Sequence, residues 1–155
     1  MSDITIVRAT LADTPAILSL LERSHLPVAG LIEHSDEILV ARRAGEVVGS
    51  AALEVYGEDA LLRSVAVDLT RRGNGVGQQL TEAALARAKE RGLRSVYLLT
   101  TTAEEFFPRF GFSRIERADV PFGIRQSVEF ASACPASAVV MRKPIGAAAS
   151  RRTRD

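Results

Sequence analysis

Short stretches rich in apolar residues recur along the chain, and several alternate apolar with polar positions, which predicts β-strands. They are Asp3–Ala9, Glu37–Arg43, Val47–Tyr56, Ala60–Val67, Arg94–Thr100, Phe112–Glu116 and Ala138–Arg142. Turns at Ala44–Glu46 and Gly57–Asp59 link three consecutive strands. We predict that these three form an antiparallel meander.

Two other stretches carry apolar residues at helical spacing. The first starts at a cap formed by Thr10, Asp13 or Thr14 and ends near Ser24, and the second covers Gly75–Arg91. The second lies between two predicted strands. These strands must run parallel, because a helix of this length requires a crossover connection.

The remaining segments are predicted to be less regular. His25–His34 reads as a loop with one short helix, and Val120–Ser137 reads as irregular. A further short helix is expected within residues 102–111. Gly146–Asp155 has no apolar side chain beyond alanine, which predicts a disordered tail after a single domain over residues 1–145.

Composition excludes several classes of function. The 155 residues are 46% hydrophobic and 25% charged, and the formal net charge of +1 gives no basic footprint for nucleic acid. No run approaches the roughly 18 apolar residues of a membrane span, and the N-terminus lacks a signal-peptide layout, so we expect a cytoplasmic protein without membrane contact. Cys134, His25 and His34 are the only Cys and His residues, so no metal site is expected.

A strand followed by a glycine turn and a helix is the strongest chemical signal. Leu61–Val67 leads into a turn with Gly73, Gly75 and Gly77, where the second helix opens. Uncovered N–H groups at a helix start bind phosphate, and glycines let the backbone approach it closely. No Lys-Ser/Thr pair follows the last glycine, which disfavours nucleotide hydrolysis.

The turn resembles a known family signature. Arg72–Gly77, read as R-G-N-G-V-G, fits the R/Q-x-x-G-x-G/A pattern of the GCN5-related N-acetyltransferases (GNAT), with S-V-A-V before it and F-F-P-R-F-G-F after it. The resemblance covers nearly the whole chain. It implies an α+β fold: a mixed, centrally antiparallel twisted sheet of about six to seven strands flanked by about four helices, with a parallel strand pair around the cofactor slot.

Narrower resemblances concern the acceptor. Leu98–Ala103 with its following G-F is similar to the acetyltransferase domain of bacterial N-acetylglutamate synthase. Leu53–Gly57, Leu62–Val67 and Cys134–Ala138 resemble ArsN-type acetyltransferases encoded with arsenic-resistance genes. Both imply a small acidic α-amino acid as acceptor, such as glutamate, phosphinothricin or its arsenic counterpart.

The family resemblance also implies which residues bind acetyl-CoA. The Val65 and Val67 backbone would pair with the pantetheine arm. The expected cofactor-binding residues are Val65, Ala66, Val67, Arg72, Gly73, Asn74, Gly75, Val76, Gly77, Gln78, Thr101 and Phe107.

Catalysis needs an oxyanion donor, a base and a fate for the thiolate. The Val65 N–H is the candidate donor, and Glu54 is the candidate base, a solvated strand glutamate being the alternative reading. Phe107 stands where the family usually has an acidic tyrosine. Tyr97, Tyr56, Ser64 or water would then protonate the thiolate.

The acid groups of the acceptor need cationic or polar partners. Arg63, inside an apolar run, is the first choice with Ser64 beside it, because a buried arginine is costly unless it faces a cleft or an ion partner. An edge position or a structural salt bridge is the alternative. Arg109 and Arg125 are weaker candidates.

Three functions remain open at this point: acetylation of a glutamate-like amino acid, acetylation of another amine such as a polyamine, an aminoglycoside or a protein terminus, and acetyl-CoA binding without catalysis. The expected partners are a small-molecule acceptor and a second copy in a homodimer.

Overall fold

The computed structural model describes residues 4–71, 75–133 and 138–145. The strands within these residues are β1 (Thr5–Arg8), β2 (Glu37–Arg43), β3 (Glu46–Tyr56), β4 (Asp59–Val67), β5 (Ser95–Thr100), β6 (Ser113–Ile115) and β7 (Val139–Pro144). The α-helices are α1 (Thr14–Arg23), α2 (Leu31–His34), α3 (Val76–Glu90) and α4 (Phe122–Arg125). Short 3-10 helices cover Leu11–Asp13, Leu69–Arg71, Phe107–Phe110 and Arg117–Asp119, and a π-helical turn covers Glu129–Ala133.

The strands form one mixed sheet in the order β1-β2-β3-β4-β5-β7-β6. Strand β2 pairs antiparallel with β1 and β3, and β7 pairs antiparallel with β5 and β6. Strands β4 and β5 are parallel, from Asp59 opposite Ser95 to Leu61 opposite Tyr97. The predicted mixed sheet and its parallel pair are confirmed, since helix α3 supplies the crossover between these two strands.

Close packing divides the chain into two units. The first comprises Met1–Glu54 and Arg63–Ala84, and the second comprises Val55–Leu62 and Leu85–Asp155. Each is described by itself below. The single domain over residues 1–145 stays a prediction, and the predicted tail lies outside the described residues.

The first unit has a core built on helix α1. Residues at helical spacing on this helix are buried together with α2 and three strands. The buried members are Ile17, Leu20, Leu21, Leu31, Val40, Ala52 and Ala66. Ala66 belongs to β4, so one face of this strand is part of the core.

The second unit has its own core between β4, β5 and the segment that contains α4. Its buried members are Leu61, Tyr97, Val120, Ile124 and Val140. The irregular segment predicted over residues 120–137 is wrong in part, because it contains α4 and the π-helical turn. Pro121 starts α4 and the fully buried Ile124 anchors it, so one apolar side chain sets a turn that periodicity over a longer window misses.

The boundaries of several elements also differ from those predicted. The helix expected within residues 102–111 is limited to the 3-10 helix Phe107–Phe110, and the Thr100 hydroxyl oxygen accepts the Ala103 N–H at 2.9 Å. Glu46 belongs to β3 opposite Arg43, not to the turn.

No helix in the described part of the chain has the length and apolarity to cross a bilayer.

Candidate active site

Strand β4 contains a residue in the left-handed conformation, Ser64. Its φ is 60°, which costs a residue with a Cβ about 1 kcal/mol or more. The buried Ser50 hydroxyl donates a 2.7 Å hydrogen bond to the Ser64 carbonyl oxygen. A side chain on β3 thus satisfies this carbonyl, and strand β4 continues through Val65 to Val67.

Gly49 on β3 lies between strand β4 and the first two turns of α3. A Cβ at this position would be 2.7 Å from Leu80 Cδ1, 3.1 Å from the Ala66 carbonyl oxygen and 3.2 Å from Val76 Cγ1. A side chain here would require the end of Leu80 to move and the Ala66 carbonyl and Val76 to shift by a few tenths of an ångström, so glycine suits this close approach. Sequence reasoning missed Gly49, although an isolated glycine inside a strand pattern signals close backbone approach.

The start of helix α3 fits a phosphate-bearing ligand. Gly75 has a φ of 81°, and a Cβ added there would meet no atom within 4 Å, so open space faces it. The helix begins at Val76, whose buried side chain holds this end, and Gln78 is exposed. The N–H groups of this first turn have no partner within the helix itself. Arg72, Gly73 and Asn74 lie outside the described residues.

Asp68 fixes the chain where it leaves β4 for this turn. Its Oδ1 accepts the Thr70 N–H at 3.0 Å and the Thr70 hydroxyl at 2.8 Å, and its Oδ2 lies 3.4 Å from Arg23 Nη1. The Thr70 backbone N–H, followed by the Thr70 hydroxyl and Arg23, lowers the pKa of the Asp68 carboxyl. The Asp68 backbone N–H donates to the Val48 carbonyl oxygen at 2.8 Å.

Glu54 and Arg63 form a buried ion pair. Arg63 Nη1 lies 3.0 Å from Glu54 Oε2, and their side chains are 0% and 1% exposed. The structure therefore places the candidate base and the candidate acceptor ligand against each other. Because neither side chain reaches the surface, neither has the solvated position considered from sequence.

The Arg63 guanidinium has protein acceptors on all sides. Nε donates to the Ser64 hydroxyl at 3.1 Å, Nη1 donates to the Ala29 carbonyl at 2.8 Å, and Nη2 donates to the Pro27 carbonyl at 3.1 Å. This is the structural salt bridge that the sequence left as an alternative. Binding an acceptor directly would require Arg63 to give up some of these hydrogen bonds.

Thr101 and Phe107 belong to the second unit. Phe107 is buried, with its ring centroid 5.0 Å from that of Phe106 and 5.8 Å from that of Phe112, both in edge-on geometry. Its ring therefore fills an apolar cluster. Thr101 is exposed at a bend, and Tyr97 is buried in the core of this unit.

The described residues hold no group of three or more His, Cys, Asp or Glu side chains arranged to bind a metal ion. Arg109, Arg125, His25 and His34 are present among them, whereas Cys134 lies outside. Of these, Arg109 lies over the Phe106 ring, with its Cζ 5.6 Å from the centroid.

The left-handed Ser64 in β4, the open space at Gly75 and the start of helix α3 fit a phosphate-bearing ligand. The sequence matches the family described as Acetyltransferase (GNAT) domain over residues 34–114. The chain belongs to this GNAT family. It is an N-acetyltransferase with acetyl-CoA as its co-substrate.

Three relatives support the assignment. An uncharacterized N-acetyltransferase of Chlorobaculum tepidum is 34% identical over 77% of this chain and 82% of its own length. An amino-acid acetyltransferase of Mycobacterium tuberculosis is 37% identical over 77% of this chain and 68% of its own length. The crystal structure of Rv2747 from Mycobacterium tuberculosis in complex with CoA and NLQ superimposes with a TM-score of 0.78 and 28% identity, covering 91% of this chain and 99% of that one.

Proposed function

We propose that the protein transfers an acetyl group from acetyl-CoA to the α-amine of a small acidic, glutamate-like amino acid. The name of the Mycobacterium tuberculosis amino-acid acetyltransferase supports an amino-acid acceptor. In the structure, the proposal depends most on one observation: left-handed Ser64 precedes the open glycine turn at Gly75 in a single stretch of chain. That stretch can hold a thioester and a pyrophosphate together.

The first turn of α3 is proposed to bind the pyrophosphate through backbone N–H groups. The positive end of the helix dipole favours the anion, and the open space at Gly75 admits its oxygens. The backbone of Val65, Ala66 and Val67 is proposed to pair with the pantetheine arm. The full set proposed for acetyl-CoA remains Val65, Ala66, Val67, Arg72, Gly73, Asn74, Gly75, Val76, Gly77, Gln78, Thr101 and Phe107.

Acetyl-CoA supplies an activated acyl group with a stable thiolate as leaving group. The α-ammonium first loses one proton to water, and the neutral amine then forms a C–N bond to the thioester carbonyl carbon. The C–S bond breaks, the nitrogen loses its second proton to water, and water protonates the released CoA thiolate. The Val65 N–H is proposed to stabilise the carbonyl oxygen as it gains charge. We propose that the left-handed conformation of Ser64, with its φ of 60°, helps to set the direction of this N–H.

Glu54 is proposed to act through its ion pair with Arg63 rather than by direct contact with the amine. Its carboxylate is 1% exposed and bonded to Arg63, so a substrate amine has no direct path to it. Proton acceptance by Glu54 through a water is the alternative. Ser64 stays in the proposed acceptor site, because its hydroxyl oxygen accepts from Arg63 and its hydroxyl hydrogen can donate elsewhere.

A thiol-release assay with acetyl-CoA tests the acceptor class. We expect turnover with glutamate, phosphinothricin or the arsenic counterpart of phosphinothricin, and much less with polyamines, aminoglycosides and peptide N-termini. Higher turnover with a polyamine, an aminoglycoside or a peptide N-terminus would contradict the proposed acidic acceptor and indicate another amine as substrate. Tight acetyl-CoA binding with no turnover on the whole panel would replace catalysis by binding alone.

A further inference from the structure

Arg63 connects strand β4 to the loop before helix α2. Its Nη1 and Nη2 reach the carbonyl oxygens of Ala29 and Pro27, which are 34 and 36 residues away in sequence. Its backbone lies two residues before Val65. One arginine side chain therefore ties this loop to the stretch proposed to hold the thioester.

The ion pair with Glu54 offsets the cost of burying the Arg63 charge. A fully buried guanidinium is costly unless a charge and hydrogen bonds compensate it. Glu54 supplies the charge at 3.0 Å, while the Ser64 hydroxyl and the two loop carbonyls occupy other donors. Glu54 and Arg63 therefore act together, and removal of either leaves the other as an uncompensated buried charge.

The tied segment is short and presents a side chain outward. Val28 stands between the two tied carbonyls and is 36% exposed. On either side, the Leu26 N–H donates to the Leu21 carbonyl at 2.9 Å, and the Leu31 N–H donates to the Val28 carbonyl at 3.2 Å. These bonds hold the ends of the loop to helices, whereas those from Arg63 hold its middle to the sheet.

We propose that Arg63, charge-balanced by Glu54, is a positioning residue that fixes the Pro27–Ala29 segment beside the thioester stretch and so sets the shape of the acceptor site. The kinetic part of this inference rests on the proposed function. The tether itself does not, since it is a property of the folded chain. A substrate reaching this part of β4 meets a loop held at the Pro27 and Ala29 carbonyls, on either side of Val28.

A double variant separates the tether from its charges. Arg63→Met alone strands the Glu54 carboxylate and is expected to fold poorly. Glu54→Leu with Arg63→Met replaces the pair by apolar side chains, which folded proteins often tolerate. Arg63→Lys keeps the charge but has a single ammonium in place of the fork that spans two carbonyls. Arg42→Met, which breaks the Arg42–Asp13 pair at 2.7 Å elsewhere in the same unit, is the matched control.

Hydrogen exchange of the backbone amides reports the tether directly. In the double variant we expect amides of residues 25–34 to exchange roughly tenfold faster or more, with β2 amides unchanged, and in Arg63→Lys we expect an intermediate increase. Arg42→Met should leave the loop exchange at its native rate. Native loop exchange in the double variant would overturn the proposal.

Kinetics then distinguish positioning from direct binding. A displaced loop should raise the acceptor KM about tenfold for glutamate and equally for glutamine, whose side chain is uncharged, with the acetyl-CoA KM unchanged. An increase confined to glutamate would show that Arg63 binds the side-chain carboxylate of the acceptor itself, and would overturn the positioning role. If no acceptor is turned over, the proposed function fails, while hydrogen exchange still decides the tether.

Discussion

The Ser50 hydroxyl donates to the Ser64 carbonyl at 2.7 Å, so one serine on β3 holds the left-handed serine of β4. In Ser50→Ala this buried carbonyl loses its partner, which should cost about 1–2 kcal/mol of unfolding free energy. If the Ser64 peptide sets the direction of the Val65 N–H, kcat should fall roughly tenfold with little change in the acetyl-CoA KM. Urea unfolding and steady-state kinetics measure both.

Ser127→Ala is the control for this prediction. Ser127 is also buried, and its hydroxyl oxygen accepts the Phe130 N–H at 3.2 Å in the second unit. It should lose similar stability and keep its kcat. An equal loss of kcat in both variants would mean that Ser50 acts only through stability.

Gly75 and Gly92 offer a matched pair at opposite ends of α3. Their φ values are 81° and 77°, and a Cβ at either would meet no atom within 4 Å. Alanine should therefore cost both sites about 1 kcal/mol of backbone strain. Only Gly75→Ala places a methyl in the proposed pyrophosphate space, so only this variant should raise the acetyl-CoA KM severalfold. Equal KM values in the two variants would remove Gly75 from the cofactor site.

Glu54→Gln tests the buried carboxylate as a base. Glutamine can still accept a hydrogen bond from Arg63 but leaves its charge uncompensated, which should cost up to about 3 kcal/mol. Because the amine proton is proposed to leave to water, the pH dependence of kcat should keep its shape. Loss of the limb that reports the essential base would instead assign the proton to Glu54.

The Asp13–Arg42 pair predicts acid sensitivity away from the site. The Arg42 hydrogen bond, followed by the Thr10 N–H, lowers the pKa of Asp13 from 3.8 to about 2. The Asp13 pKa is lower in the folded state than in the unfolded state. The ionised carboxylate therefore stabilises the fold above pH 3.8, and this contribution is lost as the pH falls through about 2. Unfolding free energies of the native protein and Asp13→Asn should differ by about 2 kcal/mol near neutral pH and converge in acid. A difference independent of pH would contradict this.

The strand pattern and the glycine turn could be read from the sequence because both are local. A run such as Glu37–Arg43 or Ala60–Val67 carries its own β-propensity, and Gly92 after an apolar-periodic stretch marks a helix end. The predicted strands confirmed here all have this character. Errors concentrate where one buried residue, such as Ile124, stabilises a single turn.

The partners of Arg63 had no local signal. The arginine stands out in its apolar run, but its contacts at Glu54, Pro27 and Ala29 are 9, 36 and 34 residues distant. From the sequence, Arg63 could either face a cleft or pair with a carboxylate. Only the three-dimensional structure shows its pairing with Glu54. The left-handed conformation of Ser64 has no sequence signal either, because serine has no preference for that conformation.

Ala66 is buried in the same cluster as Ile17 and Leu20 of helix α1, so the middle of the proposed pantetheine strand is also core. If this strand separated from the sheet, the cluster would be exposed to water. Such local opening should therefore require nearly complete unfolding of the first unit. Motion that admits and releases substrates must then arise elsewhere. The segment before α2, joined to the sheet through one side chain, is where such freedom can be adjusted without loss of the core.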